Sequence, residues 1–135
     1  MTNLVTKEDV YNFLNLNLEE ELGVINQSNS TTAVNQFLKE CQYDIKEYIG
    51  LYAFMGAAQA ESYFNIPALS QILKNAILEQ VRYINANPDI RTMAGIMQQN
   101  STIHKLTVEE RIEAGISPKA KTILLNAGLL YEGKV

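Results

Sequence analysis

One thiol and one imidazole are available to this chain, Cys41 and His104. A nucleophilic site needs its nucleophile, its base and an orienting group within hydrogen-bond reach of one another. Cys41 falls on an apolar helical stripe and His104 in a polar stretch, so the two are not expected to meet. A single cysteine excludes an intramolecular disulfide and a cysteine-based zinc site. A single histidine excludes HExxH chemistry. Carboxylates are adjacent at Glu19-Glu20-Glu21 and at Glu109-Glu110. Neighbours on a helix do not face each other, so these read as solvated end charges. No GxGxxG, Walker loop or GxSxG is present. The expectation is a non-enzymatic protein with no cofactor and no metal.

Charge points the same way. The 135 residues carry a net charge of −4, and charged residues are only 19% of the chain. Amides fill the gap, with 13 Asn and 8 Gln. Neutral amides hydrogen-bond across contacts at a lower desolvation cost than ions. Residues 1–50 hold three basic and eight acidic side chains, residues 51–100 three of each, and residues 101–135 five basic and four acidic. Non-specific nucleic-acid binding needs clustered Lys and Arg. Lys105, Arg111, Lys119 and Lys121 do gather in the C-terminal third, but Glu109, Glu110 and Glu113 dilute them. Residues 107–127, two short helices around Gly115, leave a helix-turn-helix geometry open as an alternative. No apolar run reaches the ~18 residues of a membrane span. The first residues, Met1-Thr2-Asn3-Leu4, lack the regions of a signal peptide.

The length suggests a single domain that can bury a core without staples. Thr6-Lys7-Glu8-Asp9 has the spacing of a capping box, with Leu4 or Val5 as a staple, and predicts a helix over about 6–17. Val10, Phe13, Leu14 and Leu16–Leu18 follow at roughly helical spacing. Residues 23–31 read as a loop. One of Ser30, Thr31 or Thr32 then caps a long helix whose apolar positions are Val34, Leu38, Cys41, Ile45, Tyr48, Tyr52 and Met55. Those steps alternate four and three, the strongest periodic signal in the chain. Gly50 and Gly56 predict that it frays, bends or stops before Glu61. Pro67 opens a third helix to about residue 86, and Asn87-Pro88 ends it. Gln80 interrupts its apolar face, either as a buried amide fixing one packing arrangement or at an edge. A capping box at Thr107-Val108-Glu109-Glu110 opens a short helix to about Ala114. Ser117-Pro118 starts the last helix and Gly128 fits its C-terminal cap. The reading is all-α: a small bundle of about four helices.

Two segments remain for contact. Residues 88–106 place two apolar runs around four polar residues, the pattern of a long loop or a β-hairpin arm, with a surface loop as the alternative. Its candidate contact residues are Ile90, Met93, Ile96, Met97 and Ile103. The tail at about 129–135 adds Leu129, Leu130 and Tyr131, which either tuck back onto the core or dock on a partner. Its removal is expected to spare folding.

Three segments carry a family resemblance. They are Leu4-Val5-Thr6-Lys7-Glu8-Asp9-Val10-Tyr11-Asn12-Phe13-Leu14, the Pro-led helix from Ile66-Pro67-Ala68-Leu69 to Val81-Arg82-Tyr83-Ile84, and Ile116-Ser117-Pro118-Lys119-Ala120 through Ala127-Gly128-Leu129. In this order they resemble the head–tail connector, or head-completion, proteins of long-tailed bacteriophages. The resemblance implies a mainly helical structural protein made in the bacterial host cytoplasm and built into the virion neck. It implies a homo-oligomeric ring beneath the portal protein, a tail or stopper protein on the other side, and DNA only as a passenger through the channel. It implies no catalytic residue and no membrane. The rival expectation is a small helical DNA-binding or regulatory protein using residues 107–127.

Overall fold

A computed structural model describes residues 3–52, 57–90 and 112–130. The described residues are mostly helical and contain no strand. Helix α1 spans Lys7–Leu14 and α2 Leu18–Glu21; α3 spans Ser30–Tyr52 and α4 Ala57–Tyr63. A 3-10 turn at Pro67–Leu69 leads into α5, Ser70–Ala86, and the closing helix α6 spans Pro118–Asn126. Helix α5 is the hub: it packs against α1, α3, the 3-10 turn and α6. The all-α expectation holds. The arm at 88–106 lies outside the described residues apart from its first three.

Local sequence sets most of the ends. The Thr6 hydroxyl accepts from the Asp9 N–H at 3.2 Å and the Asp9 carboxylate accepts from the Thr6 N–H at 3.0 Å, a complete capping box. Val5 and Val10, at the staple positions, are both buried. The first helix is shorter than the sequence predicts. Asn15 enters the left-handed region at φ 56° and stops it, a conformation asparagine tolerates better than most residues. Asn17 then caps α2 by accepting from the Glu20 N–H. Phe13, placed on the core-facing side by its spacing, is instead 61% exposed. Helix α3 begins at Ser30, and the Asn29 carbonyl accepts its first helical bond, from Ala33. The hydroxyl residues 30–32 therefore fall in its first turn.

Two helices end in the same glycine device. Gly23 (φ 70°) donates to the Glu20 carbonyl and Val24 to that of Glu19; Gly128 (φ 75°) donates to the Leu125 carbonyl and Leu129 to that of Leu124. Both pairs follow the Schellman pattern, which joins the residue past the glycine to the last helical turn. At the second site this turns Leu129 inward, where it and Leu124 are buried.

The core lies along the α3 seam. Val34, Leu38, Cys41, Ile45 and Tyr48 are all at most 2% exposed, with Ile49 widening the stripe. Leu73, Ala76, Ile77 and Val81 from α5, and Ala120 and Leu124 from α6, complete it. Among the described residues, no helix is long and apolar enough to cross a membrane.

Candidate interaction surface

The chemistry-bearing side chains do not converge among the described residues. Cys41 is wholly buried on the α3 seam, where a thiol packs as a small apolar group. His104, Glu109, Glu110, Lys105 and Arg111 lie outside the described residues. Glu19 is paired with Lys7 at 2.9 Å, and Glu21 accepts from the Asn85 amide at 3.2 Å. The hydrogen bond and charge of Lys7 hold the Glu19 carboxyl below the usual carboxylate range, and Glu19 raises Lys7 in return. Among the described residues, no group of three or more His, Cys, Asp or Glu side chains could hold a metal ion.

The basic candidates divide. Lys119 is exposed on α6, whereas Lys121 is bonded to Glu113 at 2.8 Å. Residues 112–114 are helical, and a turn at 115–117 leads into α6. One cation of the pair that would face a phosphate backbone is thus already engaged.

Of the eight candidate contact residues, Met93, Ile96, Met97, Ile103 and Tyr131 lie outside the described residues. The other three pack on this chain's own core. Leu129 is buried, and Ile90 and Leu130 are partly buried against the core cluster. The described part of the tail thus tucks back, and its removal from residue 129 onward takes a core side chain with it. The Schellman turn is the reason, because it fixes the direction of the chain immediately after Gly128.

The structure also leaves several large apolar side chains at the surface. Tyr11 and Phe13 on α1 are 58% and 61% exposed, and Ile66 and Leu125 are also exposed. A groove of about 270 Å³ lies between α1 and α2, with Tyr11, Leu16 and Leu18 along it and the Lys7–Glu19 pair at its rim. A larger open groove, about 670 Å³, runs along the outer face of α3. Tyr43 stands in it, about half exposed, with the Lys46 ammonium 4.8 Å from its ring centre. The negative charge of Glu47, with some burial, pushes the Tyr43 phenol upward.

Behind this surface, one buried amide ties three parts of the chain together. Gln80 on α5 is fully buried. Its Nε2 donates to the Asp44 carboxylate at 3.0 Å and to the Gly115 carbonyl at 2.7 Å, and its Oε1 accepts from the Ser117 N–H at 2.8 Å. The Ser117 hydroxyl in turn accepts from the Ala120 N–H, capping α6. Of the two sequence readings of Gln80, the buried amide is the one found. Tyr83 adds a longer bond from its hydroxyl to the Ala114 carbonyl at 3.3 Å. This network seats residues 114–117 on α5 and sets the start of α6.

Compared with known proteins, the chain matches no family model, no curated protein and no solved structure.

Proposed function

We propose that this protein is a structural head–tail connector of a long-tailed bacteriophage, working by contact and without catalysis. One observation carries the reading. The three segments that bear the resemblance, now α1, α5 and α6, pack into one unit with α5 at its centre. A capped opening helix, a Pro-led central helix and a Pro-led closing helix therefore form a single platform instead of three separate likenesses. The exposed Tyr11 and Phe13 add apolar contact surface on α1, of the kind enriched in protein interfaces.

On this reading the chain forms a ring beneath the portal, meets a tail or stopper protein on its other side, and sits in the virion neck. The 91–106 segment and the residues from Tyr131 onward are the further candidates for those contacts. A net charge of −4 suits a channel past which DNA must slide without sticking.

The test is assembly with portal rings, followed by sedimentation and negative-stain micrographs. A ring seated on the portal, and virions that fail to complete without the protein, are expected. A chain that ignores portal rings and is dispensable for virion assembly would sink the proposal. DNA affinity that falls with salt and disappears on Lys119→Gln and Lys121→Gln would favour the regulatory alternative at residues 107–127.

A further inference from the structure

The outer face of α3 separates its charges by sign. At about 100° per residue, Lys39 and Lys46 fall about 40–60° to one side of Tyr43, and Glu40 and Glu47 fall as far to the other. A basic flank and an acidic flank therefore run along the helix, opposite the buried seam, with Gln36, Tyr43 and Gly50 on the line between them. Opposite charges on one helix support each other at a spacing of three or four residues. None of these four charges has an opposite partner at that spacing on α3. The two flanks line the 670 Å³ groove, which Asp44, already bonded to Gln80, and Glu61 of α4 also border.

We propose that this face binds a second copy of the chain, α3 against α3 with the two helices parallel, about a two-fold axis that runs along the line of Gln36, Tyr43 and Gly50. A two-fold interface places the same patch on both partners, so the patch must complement itself. An axis along the helices exchanges the two flanks and leaves the height of each residue unchanged. The basic flank of each subunit then meets the acidic flank of the other. Lys39 faces Glu40 of the partner subunit, and Lys46 faces Glu47 of the partner subunit. The members of each pair differ in height by one residue, about 1.5 Å. With the symmetric copies, four ion pairs enclose two apposed Tyr43 rings. An axis across the helices, the antiparallel arrangement, keeps each flank on its own side and sets lysine against lysine and glutamate against glutamate. The charge pattern therefore selects the parallel sense. Tyr43 supplies a flat, half-exposed surface at the axis, and Lys46 already lies over its ring. An aromatic centre with charges at its rim matches the usual anatomy of an interface. The contact spans about 17 Å of helix, from residue 36 to residue 47 at about 1.5 Å per residue. That is small for a stable interface, so the dimer is weak and salt-sensitive. It does not depend on the connector reading, because it concerns the isolated chain and a face separate from α1.

Sedimentation equilibrium of the full chain tests it. In about 20 mM NaCl a monomer–dimer equilibrium is expected, and raising the salt to about 300 mM should weaken it roughly tenfold. A charge exchange decides the geometry. Lys39→Glu alone and Glu40→Lys alone should each weaken the dimer roughly tenfold, and the two together should restore it to within about threefold. Adjacent residues do not face each other on a helix, so the rescue comes from across the interface. Circular dichroism should show all three variants folded, since both positions lie outside the core. Gln36→Cys and Tyr43→Cys should each give a disulfide-linked dimer on mild oxidation, because a parallel axis brings both positions to their own copies. Cys41 is wholly buried and stays out of reach. A monomeric wild type at low salt, a double exchange that does not restore the dimer, or a Gln36→Cys chain that does not cross-link would overturn the proposal. So would a Lys39→Glu chain that dimerises more tightly, the result an antiparallel contact requires. A larger ring indifferent to all these changes would also overturn it, while leaving the connector reading in place.

Discussion

Replacing Gln80 by leucine tests the organisation of the whole C-terminal part. Leucine is close in size, so the change removes hydrogen bonding while leaving little cavity. The Ser117 N–H then loses its 2.8 Å bond in a buried position, and the Gly115 carbonyl loses its 2.7 Å bond. An orphaned buried group costs about 1–3 kcal/mol. The Asp44 carboxylate is only half-buried and regains water, so it adds little. The Gly115 carbonyl is only part-buried and counts for less than the Ser117 N–H, so the sum is about 2–4 kcal/mol, a large share of the ~5–15 kcal/mol that holds a domain together. With a urea slope of about 2 kcal/mol/M, the unfolding midpoint falls by about 1–2 M. Gln71→Leu is the control. Gln71 bonds Asn75 on the exposed side of the same helix, and its replacement should stay within about 0.5 kcal/mol. Gln80→Glu adds a signature in pH. One carboxylate oxygen still accepts from Ser117, but the other faces the Asp44 carboxylate and the Gly115 carbonyl. The new carboxyl's folded pKa is therefore raised above its unfolded value. Destabilisation is greatest above that folded pKa and recedes as the pH falls through it, because the protonated acid donates again. Equilibrium unfolding followed by circular dichroism reads all three variants. A Gln80→Leu chain as stable as wild type would refute the reasoning.

The other predictions are more local. Leu38→Asp or Ile77→Asp should abolish the folded far-ultraviolet spectrum at room temperature, since each buries an unpaired charge at a position at most 1% exposed. Gly128→Ala should cost about 1 kcal/mol in urea unfolding: an added Cβ meets open space, so the cost comes only from φ 75°. Removing residues 131–135 should spare the core, whereas removal from residue 129 also deletes a buried leucine and should cost about 1.5–3 kcal/mol. The Lys7–Glu19 pair should contribute a small stabilisation confined to a pH window. Glu19 is depressed, so its share is lost as the pH falls through its lowered pKa; Lys7 is raised, so its share is lost as the pH rises through its raised pKa. Comparing Lys7→Met with wild type at neutral pH and at acid pH should show the difference closing in acid.

The residues that terminate helices were legible because their partners are close in sequence. Thr6 with Asp9, Ser117 with Ala120, and Gly128 after Asn126 act over three or four positions. The α3 seam was legible for a related reason, since an alternation of four and three residues is the helix period itself. Those features establish the all-α class and the places where most helices start and stop. The exposure of Phe13, the inward turn of Leu129 and the partners of Gln80 were decided only by the tertiary structure. Gln80 meets Asp44, Gly115 and Ser117 across separations of 35 to 37 residues, and no local pattern encodes which carbonyl or amide will arrive there. Periodicity can mark a side chain as apolar-facing or interrupted. Which neighbour covers it depends on how α5 packs against α1, α3 and α6 at once, a property of the assembled core and not of any one helix.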